Sequence, residues 1–235
     1  MKRRTFLGSI AALGAASTVL GKEISGGQPW TPGEVSLPKI SSKHGGLQFL
    51  SKHELETIEE IAERFIPSDE FSLGGRDAGC AIFIDRQLAG DYGKASTVYR
   101  RGRFIKGTKE QGPQTPYTPA ERYRRGLIAL DLSTNADFNK NFKDLAESQQ
   151  NLVLSAMEKN EYNLGKEIDT KEFFELLLQN VREGFLSDPI YGGNKDMTSW
   201  KMIGFPGARY DFRDLLGKKG QRLDIIPTSL IDNSL

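Results

Sequence analysis

The sequence predicts a mainly α protein: a small, irregular helical domain with long ordered loops and an extended N-terminal arm. Three observations predict it. Capping signatures, a Ser, Thr or Asp with Glu three residues later, open apolar runs at Ser51, Thr118 and Asp169. Those runs repeat apolar residues at helical spacing, and little of the chain alternates as a strand would. Between them lie Gly- and Pro-broken stretches that are too apolar for disordered linkers. At 235 residues the chain has ample length for a core. Its formal net charge of +1 excludes a strongly basic nucleic-acid binder as the default reading.

Residues 1–21 read as a targeting segment. Lys2, Arg3 and Arg4 form a positive start, and the Ala- and Gly-rich run from Gly8 to Leu20 is uncharged and mildly apolar. Arg3-Arg4 followed by Thr5-Phe6-Leu7 resembles a twin-arginine export signal, whose recognition residues would be Arg3, Arg4, Phe6 and Leu7. The alternative is an ordinary secretory signal or uncleaved anchor with a chance Arg pair. Cleavage after Ala16 or after Gly21 fits the small residues there. Loss of residues 1–21 removes three positive charges from the formal +1 and leaves about −2. The expected location is the periplasm.

Residues 22–50 are rich in Gly, Pro, Ser and Lys and read as an extended arm, with Trp30 as a surface anchor or part of a free tail. The helical domain is expected over residues 51–212. Ser51 and Glu54 start a first helix carrying Leu55, Ile58, Ile61, Ala62 and Phe65, and Pro67 stops it. A second helix is expected from about Asp77 to Ala89, with Asp85 and Arg86 as a solvated face or a local ion pair. Gly90 to Tyr117 reads as a loop in which basic residues, Arg101 among them, alternate with aromatics such as Phe104. Single-stranded nucleic acid is one use of such a pattern. The export signal argues against it, and a docking surface for a protein fits better.

Thr118-Pro119-Ala120-Glu121 is the clearest helix start, with Tyr123, Leu127 and Leu130 on one stripe. Phe138, Phe142 and Leu145 predict a short helix. Leu152, Val153, Ala156 and Met157 predict another, closed near Asn160. The helix after Asp169, apolar nearly all round at its start, is expected to be the most buried. It feeds the stretch Gly184 to Gly207, GFLSDPIYGGNKDMTSWKMIGFPG, which reads as a long ordered loop held by its aromatics. Residues 213–235 read as a charged, then weakly apolar, tail.

The chain lacks the motifs of most chemistries. It has no Gly-x-Gly-x-x-Gly on a strand-turn-helix, no Walker motif and no Cys-x-x-Cys-His. Two histidines, His44 and His53, and one cysteine, Cys80, offer no metal-binding pattern. Cys80 reads as a small buried filler, and the histidines as surface residues. Asp188, Asp196 and Asp211 are the carboxylates that a hydrolase would have to use. No catalytic, cofactor-binding or metal-ligating residue is assigned in this chain.

DPIYGGN at 188–194, followed by the Trp200-x-x-Ile203-Gly204-Phe205-Pro206-Gly207 close, resembles the gluconate 2-dehydrogenase subunit 3 family. The blocks Phe65 to Glu70, Phe83 to Leu88, Gln111-Gly112, Thr118 to Tyr123 and Glu183 to Phe185 agree in order, so the resemblance spans roughly residues 50–212. It implies a non-catalytic accessory subunit of a membrane-bound, FAD-dependent sugar or sugar-acid dehydrogenase. The flavin would sit in a large glucose-methanol-choline-type subunit, and a cytochrome c subunit with haem c often completes such a complex. The small subunit would support maturation of the flavoprotein and its export through the twin-arginine translocon. On that reading Tyr191, Trp200, Phe205, Arg101 and Phe104 are partner-interface candidates, with Trp200 and Phe205 as core residues the alternative. An independent periplasmic binding or structural protein is the second reading, and a stand-alone hydrolase the third.

Overall fold

The fold is described from a computed structural model, over residues 45–99, 102–112, 115–209, 211–221 and 223–231. Expectations on residues 1–44, and on Arg101, lie outside the described residues. The fold is mainly α, as the sequence predicts. Among the described residues there are seven α-helices and no strand. They are α1 (Lys52–Phe65), α2 (Cys80–Ala89), α3 (Asp91–Lys94), α4 (Pro119–Phe138), α5 (Glu147–Glu158), α6 (Thr170–Leu186) and α7 (Thr198–Ile203). None of them is long and apolar enough to cross a membrane.

The capping signatures start helices where the sequence places them. The Ser51 hydroxyl accepts from Glu54 N, and Glu54 Oε2 accepts from Ser51 N at 2.8 Å, which satisfies two amides that the first turn of α1 leaves open. Thr118 and Glu121 repeat the exchange at the head of α4. Asp169 accepts from Glu172 N at 3.0 Å and opens α6.

Two expected helices differ. The second begins at Cys80 rather than near Asp77, because Gly79 takes φ +81° and no helix continues through that conformation. A side chain at Gly79 would also crowd Gly192 O, so the break and a close approach of the later loop share one glycine. The helix expected around Phe142 is a single 3-10 turn, Phe142–Asp144, cut off from α4 by Asn139 at φ +56°. In α5 the buried stripe is Val153, Leu154 and Met157, and Leu152 points to solvent.

Helix α6 is the axis of the core. It contributes nine buried residues, more than any other described helix, and packs on α1, α2, α4, α5 and α7. Phe174 meets Phe65 of α1 edge to face at 5.3 Å, and Phe173 meets Tyr123 of α4 the same way at 6.2 Å. Ile58, Ile61, Ile84, Leu127, Leu130 and Leu177 close the space between them.

The end of the arm is fastened to this body by a charge that the sequence reading leaves on the surface. Asp85 of α2 is buried, not solvated. Its carboxylate accepts the backbone amides of Gln48, Phe49 and Leu50 at 2.7–2.9 Å. Arg124 of α4 adds a second hold: it donates to Phe49 O and to Glu54, and its guanidinium lies 4.2 Å over the Phe49 ring. Residues 211–219 belong to a separate compact unit, in which Arg213–Leu215 form a 3-10 turn and Arg213 pairs with Asp211.

Candidate functional site

The chain from Ser187 to Ala208 leaves the C-terminus of α6 and is organised from inside by polar groups. Asp188 caps a 3-10 turn at Pro189–Tyr191, accepting from Ile190 N at 3.0 Å. Asn194 is fully buried. Its amide nitrogen donates to Ser187 O at 2.8 Å, and its oxygen accepts from Ser199 N and Ser199 Oγ at 3.0 and 2.8 Å. Asn194, Asp196 and Met197 all have positive φ, 46–56°. Such backbone costs about 1–2 kcal/mol per residue without a glycine, so it persists where surrounding contacts hold it. One such contact is Lys195 N donating to Ala78 O at 3.0 Å.

The stretch therefore is an ordered connection, as expected, and it contains a helix that was not expected, α7. Six residues are too few to show a period, and its first turn follows Met197 in a left-handed conformation that sequence does not announce. Helix α7 carries Trp200 inward. The indole N–H donates to Leu186 O at 2.9 Å, one of the carbonyls that the last turn of α6 leaves open. Phe205 meets the Trp200 ring edge to face at 5.1 Å.

The outward-facing residues combine large apolar side chains with Lys195, Asp196 and Lys201. Tyr191 is 50% exposed, Ile203 56% and Phe205 44%, and Met202 lies open beside them. Leu73 N donates to Thr198 Oγ1 at 3.2 Å, which ties the segment bearing exposed Phe71 and Leu73 to the start of α7. Several large apolar side chains exposed within one short ordered stretch differ from apolar residues scattered singly, and contiguous exposed apolar surface is what interaction sites use.

Of the candidate residues, Tyr191 and Phe205 are on this outer face, and Trp200 is buried beneath it. Phe104 stands elsewhere. It lines a groove of about 640 Å³ with Tyr92, Val98, Tyr99, Ile105 and Tyr117, where Arg125 stacks on Tyr117 at 4.1 Å.

The chemistry-bearing residues have structural occupations. Asp188 accepts Ser229 Oγ at 2.8 Å and Leu230 N at 2.9 Å besides Ile190 N. His53, expected as a plain surface residue, is half-exposed and sits 2.6 Å from Asp131, whose other oxygen accepts Phe142 N. Cys80 is buried, and burial pushes its thiol up to about 12. Among the described residues no three His, Cys, Asp or Glu side chains group to hold a metal.

Sequence reasoning missed one polar cluster. Asn180 of α6 accepts from Tyr123 OH at 3.0 Å and donates to Glu183 at 2.9 Å, with Tyr92 OH within reach. Burial drives the Tyr123 hydroxyl well above its ordinary value. Tyr123 and Tyr92 lie 57 and 88 residues before Asn180, so no local pattern announces the cluster.

A family model described as gluconate 2-dehydrogenase subunit 3 matches residues 52–207. No curated protein and no solved structure matches the chain.

Proposed function

The chain belongs to the gluconate 2-dehydrogenase subunit 3 family, and from that premise we propose that it is the non-catalytic small subunit of a periplasmic, membrane-bound, FAD-dependent dehydrogenase. In this reading the flavin resides in a large glucose-methanol-choline-type partner, and haem c in a cytochrome subunit where one is present. The small subunit assists folding of the flavoprotein and carries it through the twin-arginine translocon with the signal at Arg3, Arg4, Phe6 and Leu7. The complex then holds the chain at the membrane.

The observation that carries the reading is the stretch 187–208: fixed from inside by Asn194 and Trp200, yet apolar and open outside at Tyr191, Ile203 and Phe205. Rigid aromatic surface ordered before binding is what a protein partner uses best, because little side-chain freedom is lost on docking. Buried carboxylates already engaged with backbone amides support a scaffold role.

Tagged mature chain, recovered from periplasm and membrane, tests this. A large co-purifying protein with a flavin spectrum is the expected result. Replacing Arg3 and Arg4 together by Lys is expected to leave both proteins in the cytoplasm. A colourless lone chain would overturn the reading. It would favour an independent periplasmic binding protein, for which the groove beside Phe104 is the feature in hand.

A further inference from the structure

Residues 226–229 run alongside the outer loop with no helix or turn, and the chain then bends at Leu230 and Ile231, where Ile231 N donates to Ser229 Oγ at 3.2 Å. Pro227, Ser229 and Ile231 are buried, whereas Ile226 and Leu230 are exposed, the period of two that a seated strand has. The segment makes a parallel bridge between Thr228 and Gly207. Thr228 N donates to Pro206 O at 3.2 Å, and Ala208 N donates to Thr228 O at 2.7 Å. Immediately beyond, Ser229 Oγ and Leu230 N donate to the two oxygens of Asp188. Gly207 has φ +79°, and a Cβ there would overlap the Thr228 backbone. Only glycine lets the two backbones come this close.

The seat has two ends, and each adjoins one exposed ring. Asp188 caps the turn that ends in Tyr191, and Pro206 follows Phe205 directly. A segment held at both ends fixes their separation. We propose that Asp188 and Pro206–Ala208 form a binding site for a short non-helical segment, that residues 227–231 fill it in cis as a strap, and that the strap sets the pose of Tyr191 and Phe205. The chemistry of the site is a carboxylate for a hydroxyl and a backbone N–H, an open backbone edge, and an apolar seat two residues beyond the hydroxyl. The last part of the proposal, the pose of the docking face, rests on the accessory-subunit reading. The strap lies outside the family match, which ends at Gly207.

The test uses the full chain with Ser229→Ala and Ile231→Ser combined. Hydrogen exchange is followed at Ala208, Thr228, Leu230 and Ile190, and at the amides of α6. Exchange at the first four is expected to rise by about tenfold or more with α6 unchanged, because a strap opens as a local unit. Capture of the flavoprotein is expected to fall with it. Unchanged exchange at Ala208 and Thr228 would overturn the strap, as would an equal rise in α6, which would make the segment an ordinary part of the core. Faster exchange with undiminished capture would overturn its role in the docking face. A wild-type chain that captures no flavoprotein would sink the accessory-subunit reading alone, since the exchange result still decides the strap.

Discussion

At the end of α6 the last turn exposes carbonyls, and the Trp200 indole takes the one at Leu186. Trp200 is 5% exposed and supports Phe205, so its ring acts on the chain's own stability before it can act on a partner. Trp200→Ala is expected to cost about 3–5 kcal/mol, the range for deleting a large buried aromatic. Trp200→Phe keeps most of the packing but leaves Leu186 O unpaired, at about 1–3 kcal/mol. Tyr191 is half exposed, so Tyr191→Ala is expected within about 0.5 kcal/mol of wild type in denaturation. It is expected to weaken partner capture by about 2 kcal/mol, roughly 30-fold, if the ring is an anchor. Denaturant curves and binding titrations on the same three variants separate the two roles. Tyr191→Ala with full affinity would remove it from the interface. The sequence makes all three rings visible but not their directions, because inside and outside are set by the Asn194 and Leu186 contacts.

Helices and their junctions show which parts of the fold were legible. Capping chemistry is local, within four residues, so α1, α4 and α6 could be read directly from Ser51, Thr118 and Asp169. The start of α2 could not, since it rests on the left-handed Gly79, which packs against Gly192 O more than a hundred residues away. Close packing between α4 and α6 gives a further test. A Cβ on Gly126 would fall on the Phe173 ring. Gly126→Ala gains up to about 1 kcal/mol of helix propensity, but overpacking costs about 1–3 kcal/mol. The packing is expected to win, and a lowered denaturation midpoint checks it; a raised midpoint would mean that Phe173 moves freely aside. The head of α1 has a pH signature. Burial pushes the Glu54 carboxyl up, but hydrogen bonds from Arg124 and Ser51 and the Arg124 charge outweigh it and hold the group below its ordinary 4.5. A carboxyl depressed by folding stabilises fully above its unfolded value, and that contribution fades as pH falls through the folded one. The stability gap between wild type and Glu54→Gln is therefore expected to stay constant from neutral pH to about 5 and to narrow below 4.5. Midpoints measured across that window decide it, and a gap that grows on acidification would contradict the Arg124 and Ser51 contacts as the cause.

For the whole molecule, the matched region 52–207 and the packed body have different limits. Two buried or half-buried carboxylates inside the match, Asp85 and Asp188, draw donors from outside it: Asp85 from Gln48, Phe49 and Leu50, and Asp188, besides Ile190 N, from Ser229 and Leu230. These clamps were illegible because each joins residues 35 or more apart, and a lone Asp on a helix carries no sign of what it binds. Read locally, Asp85 looks like a solvated charge and residues 226–231 like a tail. The energetic weight is considerable. A hydrogen bond to a charged group contributes about 1.5–3 kcal/mol, and a carboxylate left buried without donors costs more than the bonds themselves return. Shared groups do not add fully, so a chain trimmed to residues 52–207 is expected to be less stable than residues 45–231 by at least about 3 kcal/mol. Denaturant unfolding of the two pieces measures the difference. Asp85→Ala in the longer piece should account for a large part of it, with faster exchange at Gln48 to Leu50. Equal midpoints for the two pieces would mean that arm and strap ride on a body complete without them. A deficit that Asp85→Ala does not reproduce would lie with the Ser51 cap, the Phe49–Arg124 contacts or the strap at Asp188, and a piece spanning residues 45–207 isolates the strap's share.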